Sequence, residues 1–374
     1  MTFKLRNLFL LLIACTSIVT SQKTGIPIKH TTKTIRVKGG EIIDCVDIYK
    51  QPAFNHPALK NHTIQMKSHM YSASEQTKTL PNSVSSSKVP SQTWHKYGRC
   101  PNGTIPIRRP SKNYSTNTMR RRNEITNANH SFSVAITEGF SYSGSKANIK
   151  VFKPFVESND DYSSSQVMIR NGPLRSFETI EAGWAVNPRA YNDDKTHLFA
   201  YWTVDGMQNT GCFDLNCPGF FQISDDVFLG VDITDYYGSD ITIQISLDPY
   251  KHNWWLTFND VEIGYWPGEI LSRLKSQGTL VQWGGEVCSP KVGTHPGHTS
   301  TAMGSGQTVD FFGGAGTISK MLIEENSHEL KHPEYFFTSS DEWDCYDQYL
   351  RKYDVPEPVF YYGGPGSRNN PRCP

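Results

Sequence analysis

From about residue 130 onward the chain reads as one strand-length segment after another. Residues 130–138, 146–152, 165–170, 179–186, 197–204, 220–223, 241–248, 253–258, 261–266 and 279–287 are short, β-branched or aromatic, and separated by turn residues. Helical periodicity shows only briefly, near 267–277. Strands in such number without βαβ alternation exclude a parallel sheet wound with helices and leave an antiparallel β-sandwich or a closed barrel. The 374 residues suffice for two to three domains, and no internal repeat divides them. With 37% hydrophobic residues, 20% charged residues and a mean hydropathy of -0.50, a multi-span membrane protein is excluded.

The N-terminal third differs in charge and in texture. Residues 22–125 carry 18 basic and 5 acidic side chains, and residues 126–374 carry 17 basic and 31 acidic ones. A formal net charge of +1 therefore hides a +13 segment and a -14 body, which attract each other at neutral pH. The basic segment offers a candidate helix over 42–49 and then becomes rich in Ser, Lys, Asn and Pro. It ends in Pro101, Pro106, Pro110 and the run Arg120-Arg121-Arg122. A basic run between two bodies of opposite charge is expected to be a protease-sensitive linker, not a nucleic-acid site.

Residues 1–21 read as a secretory signal: Lys4 and Arg6, an apolar run over 8–14, and Val19-Thr20-Ser21 at the cleavage position. The apolar run is too short to span a bilayer, so no stable membrane association is expected. Cleavage removes Cys15 and leaves seven cysteines in an oxidising compartment. By spacing, Cys212 pairs with Cys217, Cys345 with Cys373 and Cys45 with Cys100, leaving Cys288 as a free thiol. No pair has C-x-x-C spacing, so no metal is expected. Sequons at Asn61, Asn102, Asn113 and Asn129 would place glycans on the basic segment and its linker.

The usual nucleophile templates are missing: there is no G-x-S-x-G elbow, no H-E-x-x-H helix and no phosphate-binding loop. What remains is acids on strands. In 179–186, alternation sends Ile180, Ala182, Trp184 and Val186 to one face and Glu181, Gly183 and Ala185 to the other. In 281–287 it separates Val281, Trp283, Gly285 and Val287 from Gln282, Gly284 and Glu286. Each acid stands beside a glycine, and glycine inside a strand permits close approach of another backbone, such as an extended substrate. Gly183, Trp184, Gln282 and Gly284 are the candidate groove residues around Glu181 and Glu286.

The motifs Ile-Asp-Cys-Val-Asp-Ile-Tyr (43–49), Gly-Arg-Cys-Pro-Asn-Gly-Thr (98–104), Glu-Ala-Gly-Trp (181–184), Tyr-Trp-Thr (201–203), Gly-Cys-Phe-Asp-Leu-Asn-Cys (211–217), Gly-Tyr-Trp-Pro (264–267), Trp-Gly-Gly-Glu (283–286), Met-Gly-Ser-Gly (303–306) and Tyr-Gly-Gly-Pro-Gly (362–366) occur in that order. With them the chain resembles the neprosin family of plant secreted proteins. The resemblance implies a signal peptide at 1–21, an activation peptide (pro-domain) of limited secondary structure with a processing linker at 22–125, and an all-β catalytic domain at 126–374. It further implies a secreted, metal-free and cofactor-free glutamic endopeptidase of prolyl specificity, made as a zymogen and released to the apoplast or cell wall. Glu181 and Glu286 fall on the motifs that carry the two catalytic acids. Proline-containing peptides or proteins are the expected substrates, and the pro-domain is expected to cover the groove near Glu181 and Glu286 until acid releases it. Tyr191-Asn-Asp193 and Cys288 depart from the family pattern. Two other readings also need paired carboxylates or aromatic grooves on a sandwich: a glycoside hydrolase, and a non-catalytic cell-wall or carbohydrate-binding module.

Overall fold

The computed structural model describes residues 28–38, 40–69, 92–110, 130–173, 175–208, 210–310 and 312–373. The signal segment 1–21, most of the Ser-rich stretch, Asn113, Arg120-Arg121-Arg122 and Asn129 lie outside them. Three strands precede the linker: β1 (Thr31–Arg36), β2 (Ile42–Asp47) and β3 (Thr104–Arg108). After it come β4 (His130–Tyr142), β5 (Gly144–Lys150), β6 (Tyr162–Asn171), β7 (Glu178–Val186), β8 (His197–Thr203), β9 (Cys212–Phe213), β10 (Phe221–Gln222), β11 (Asp240–Leu247), β12 (Trp254–Phe258), β13 (Val261–Trp266) and β14 (Gly278–Cys288). The last five are β15 (Gly316–Glu324), β16 (Leu330–Lys331), β17 (Phe337–Ser340), β18 (Asp347–Arg351) and β19 (Val359–Gly363).

The segment expected as a helix over 42–49 is the middle strand of the first sheet, β1-β2-β3, and only Ile48–Lys50 turns into a 3-10 helix. Ile42, Ile43 and Val46 are β-branched and favour extended backbone, and antiparallel partners on both edges satisfy the strand's peptide groups. Cys45–Cys100 ties this sheet to the turn before β3. The helical pattern near 267–277 likewise reduces to one 3-10 turn, Gly268–Ile270.

The remaining strands form the expected antiparallel sandwich. One sheet runs β17-β4-β14-β6-β7-β8-β9; the other runs β10-β13-β12-β11-β5-β15-β19-β18, with β16 added to β15. Alternation sends Ile180, Ala182, Trp184, Val281 and Trp283 of the first sheet inward to meet Ile149, Ile243, Ile245 and Trp254 of the second, all fully buried. Two indoles lock the layers together as donors across the core: Trp184 Nε1 to the Lys150 carbonyl at 3.0 Å and Trp283 Nε1 to Ser145 Oγ at 3.1 Å. Truncating such a residue typically removes about 3–5 kcal/mol. Trp184 therefore does not line a groove, as expected of it above; its own alternation places it in the core, on the face opposite Glu181.

The basic N-terminal unit docks beside β10, β12 and β13 and on the loops around residues 191–193 and 226. Gln51 exchanges hydrogen bonds with the Gln222 backbone, and Gln65 Nε2 and His69 Nδ1 both reach Asp248 Oδ2 at 2.7 Å. Charge complementarity appears at the contact: Arg99 pairs with Asp226 at 2.8 Å and Arg108 with Asp193 at 3.3 Å. Arg108 also donates to the Tyr191 carbonyl and to Glu41 of its own unit. Asn61 and Asn102 are exposed on the docked unit, open to modification.

Candidate active site

Both glutamates lie on the outer face of the first sheet, on β7 and β14, with β6 between them. The register Glu286↔Ser164↔Ala185 sets them two strands and four residues apart. Midway stands Gln166, paired with Gly284 on one side and Gly183 on the other. The two glycines are required here for close approach. A methyl group at position 183 would collide with the Ser165 carbonyl and the Gln166 backbone, and one at position 284 with Ser133 and Val134. A row without side chains thus crosses three strands, interrupted only by the Gln166 amide, with an acid diagonally at either end.

Glu286 is 1% exposed and Glu181 3%. Burying a carboxylate is unfavourable unless donors replace its water. His130 Nδ1 lies 2.6 Å from Glu286 Oε1, the Tyr162 hydroxyl donates to the same oxygen at 2.7 Å, and Gln166 Nε2 donates to Oε2 at 3.3 Å. Thr179 Oγ1 donates to Glu181 Oε1 at 3.1 Å. Burial alone would depress the His130 imidazole, but Cys288, 3.7 Å from its Nε2, and Glu286 outweigh burial and raise it to about 9. His130 is therefore an imidazolium at neutral and acidic pH, and its charge favours ionised Glu286. Nearby, burial pushes the Asp341 carboxyl above its ordinary range, with Glu342 and Glu286 adding to the effect.

An aromatic shelf adjoins the acids. Phe213 stacks on Phe199 at 5.5 Å and meets Tyr201 and Tyr162 edge-on at 5.2 and 5.8 Å. Tyr201 pairs with Glu181 across β7 and β8, so the shelf begins beside that acid. The Cys212–Cys217 disulfide closes the loop that carries Phe213. Cys345–Cys373 and Cys45–Cys100 also form as spacing suggested, and Cys288 is free.

Of the candidate groove residues, Gly183, Gln282 and Gly284 share the glutamate face, and Gln282 pairs with Met168, itself opposite Glu181. Sequence reasoning missed His130, Tyr162 and Gln166. Gln166 had a usable signal, since it alternates with Ser164 and Met168 on a strand whose other face carries the buried Val167 and Ile169.

The fold and face together define a β-sandwich protein with two acids on one face and a basic N-terminal sheet packed against its side, sharing one continuous core with it. The chain belongs to the neprosin family: the family model described as Neprosin matches residues 159–365, and that of the Neprosin activation peptide matches 34–138. Among solved structures it is similar to scytalido-glutamic peptidase with a transition state analog inhibitor, at 9% identity and TM-score 0.36 over 62% of this chain and 97% of that one. It is also similar to SCP-B, a member of the Eqolisin family of peptidases, at 8% identity and TM-score 0.33 over 63% and 97%. A glycoside hydrolase family 16 endo-glucanase from Bacteroides ovatus matches at 11% identity and TM-score 0.29 over 44% and 69%. Among the described residues no helix is long and apolar enough to cross a membrane.

Proposed function

We propose that this chain is the zymogen of a secreted glutamic endopeptidase that cleaves next to proline, with Glu286 as general base and Glu181 as general acid. The observation that carries the assignment is the His130 imidazolium on Glu286 Oε1. It holds the Glu286 carboxylate ionised and ready to take a proton from water as the water oxygen attacks the peptide carbonyl. Glu181, in its protonated form, donates first to the developing oxyanion and then passes its proton to the leaving nitrogen. Glu286 ends protonated and Glu181 ionised, and exchange with solvent resets the pair. The Gly183–Gln166–Gly284 row supports an extended substrate backbone lying against the sheet.

The complementary charges of the docked unit support its standing as a pro-domain held on the body, and its contacts described above fall on β10, β13, Asp248 and the loops around residues 191–193 and 226 rather than on the expected groove near Glu181 and Glu286. Acid would loosen it by protonating body carboxylates while Lys and Arg keep their charge. Asp248 resists: burial opposes its ionisation, but hydrogen bonds from the backbones of His69, Lys251 and Tyr250 and from Gln65 hold it at about 2. Release at milder acidity therefore falls to the other contacts, with cleavage between Pro110 and about residue 130 freeing the enzyme.

The test is to incubate the purified chain across a pH series, follow its mass and new N-terminus, and assay a proline-containing peptide against a plant polysaccharide. Glu181→Gln and Glu286→Gln should each lower peptide cleavage by about 10²–10⁴-fold with folding unchanged. Near wild-type turnover in either folded variant refutes the pair, and hydrolysis of the polysaccharide alone replaces the reading with a glycoside hydrolase.

A further inference from the structure

The glutamate face is not uniformly closed. Glu286, Glu181, Gln166 and the rings of Phe199, Tyr201 and Phe213 are at most 3% exposed. Beside them one register row stays open: Glu181 pairs with Met168, Met168 with Gln282, Gln282 with Ile136, and Ile136 with Phe337. Their strand neighbours Val167, Val281 and Ala135 are fully buried, so alternation turns the row outward with Glu181. Met168, Gln282 and Ile136 are half-buried, and Phe337, on the edge strand β17, is 45% exposed. A contiguous apolar run on an outer sheet face, leading to a buried acid, is a surface that a ligand covers. The Glu286 row has no such run; it reads Asp341, Phe132, Glu286, Ser164 and Ala185. The Gly183–Gln166–Gly284 row lies parallel to the apolar one, two residues away along each strand. A peptide backbone laid flat on the glycine row turns alternate side chains toward the apolar row. Strands stand about 4.8 Å apart, so β4 with Ile136 and β17 with Phe337 lie about 10 and about 14 Å from β6, where Gln166 marks the middle of the acid pair. Extended chain brings a side chain to the same side about every 6.8 Å. The second residue from the cut therefore falls between Gln282 and Ile136, and the fourth reaches Phe337.

We propose that Ile136 and Phe337, continuing from Met168 beside Glu181, form an apolar subsite that reads the second and fourth substrate residues on one side of the cut. The inference rests on the peptidase reading and adds a substrate class to it: peptides with apolar side chains at alternate positions on that side, long enough to reach β17. Phe337 is remote from the reacting atoms. Binding there holds the scissile bond against the acids, so its loss lowers kcat/KM for long substrates and leaves short ones alone.

The test uses the full chain after acid incubation. Its substrates are matched proline-containing peptides with leucine or serine at the second or the fourth residue on either side of the cut, and a short peptide that ends at the second residue on both sides. Wild type should favour leucine over serine by about three- to tenfold in kcat/KM at both positions, on one side of the cut only. Phe337→Ser should lose the preference at the fourth residue and keep the wild-type rate on the short peptide, while Phe337→Leu, which keeps an apolar surface, should retain most of it. Ile136→Thr should lose the preference at the second residue. With isotope-labelled methionine and isoleucine methyl groups, adding the leucine peptides should shift the NMR signals of Met168 and Ile136. No preference at either position, a preference on both sides of the cut, or an unchanged preference in Phe337→Ser overturns the proposal. Wild type that cleaves no peptide refutes the peptidase reading instead, and the methyl signals then decide the subsite: unshifted signals overturn it.

Discussion

Replacing His130 with asparagine tests the electrostatics of the site directly. The imidazole is raised from 6.5 to about 9 in the folded chain, and a difference of that size corresponds to about 3 kcal/mol of folding stability. The sign follows from linkage. The folded state binds the His130 proton more tightly than the unfolded state, so the stabilisation is fully present below about pH 6.5 and is lost as pH rises through about 9. The side chain is 16% exposed, so solvent screens the pair little. Urea unfolding of wild type and His130→Asn, followed by the fluorescence of the buried indoles from about pH 5.5 to about pH 10, should give a stability difference near 3 kcal/mol at the acid end. At the alkaline end only a small packing residue should remain. Adding Glu286→Gln to both backgrounds closes a double-mutant cycle, and the coupling should account for part of the difference at low pH, with Cys288 supplying the rest. A difference that stays flat across the series, or that grows with pH, refutes the assignment of His130 as the cation on Glu286.

Three further outcomes are expected. Gly183→Ala should destabilise the sandwich by about 1–3 kcal/mol, because its methyl group meets the Ser165 carbonyl, whereas Gly313→Ala, in open space, should leave the urea midpoint unchanged. Burial lifts the Asp214 carboxyl to about 6 against hydrogen bonds from the Ala200 backbone and Tyr191. The folded chain thus prefers it protonated and loses about 3 kcal/mol as pH rises from near 4 to 6; Asp214→Asn should equal wild type at pH 4 and exceed it in chemical denaturation at pH 7. Replacing Cys45 and Cys100 by serine opens a loop with a sequence separation of 55 and should cost the N-terminal unit about 4 kcal/mol, seen as faster proteolysis of residues 28–110 with the sandwich intact.

Where a strand has one apolar and one polar face, its sequence shows it. The Glu181–Gly183 and Gly284–Glu286 alternations gave the outward direction of the acids, and β4 to β8 were recognisable as short β-branched or aromatic runs bounded by turn residues, even where, as in β8, both faces are buried. The three-stranded N-terminal sheet was harder to see, because β2 is buried at four consecutive positions and its pattern lacks a clear period. The strands β15 to β19 were missed since β16 to β18 are short and none of their residues is buried, which leaves no apolar face to recognise. His130 and Tyr162 were invisible as site residues for a different reason. Nothing in a one-dimensional pattern shows that the ends of β4 and β6 meet the end of β14, and register is a property of the assembled sheet.

The position of β4 within that sheet also governs when the sheet can form. Its neighbours are β14 and β17, whose paired residues run from 278 to 288 and from 337 to 340, while its own run from 130 to 142. The strand that opens the sandwich must therefore wait for segments made well over a hundred residues later, and pairings of such separation are slow to close. On the ribosome the N-terminal sheet, complete by Arg108, can form while β4 is still without partners. Its docking surface near Gln222, Asp248 and Tyr265 is made before β14 is complete. The basic unit is thus available as a template for the second sheet before the glutamate face exists, and removing it before synthesis would be expected to slow folding more than it lowers final stability.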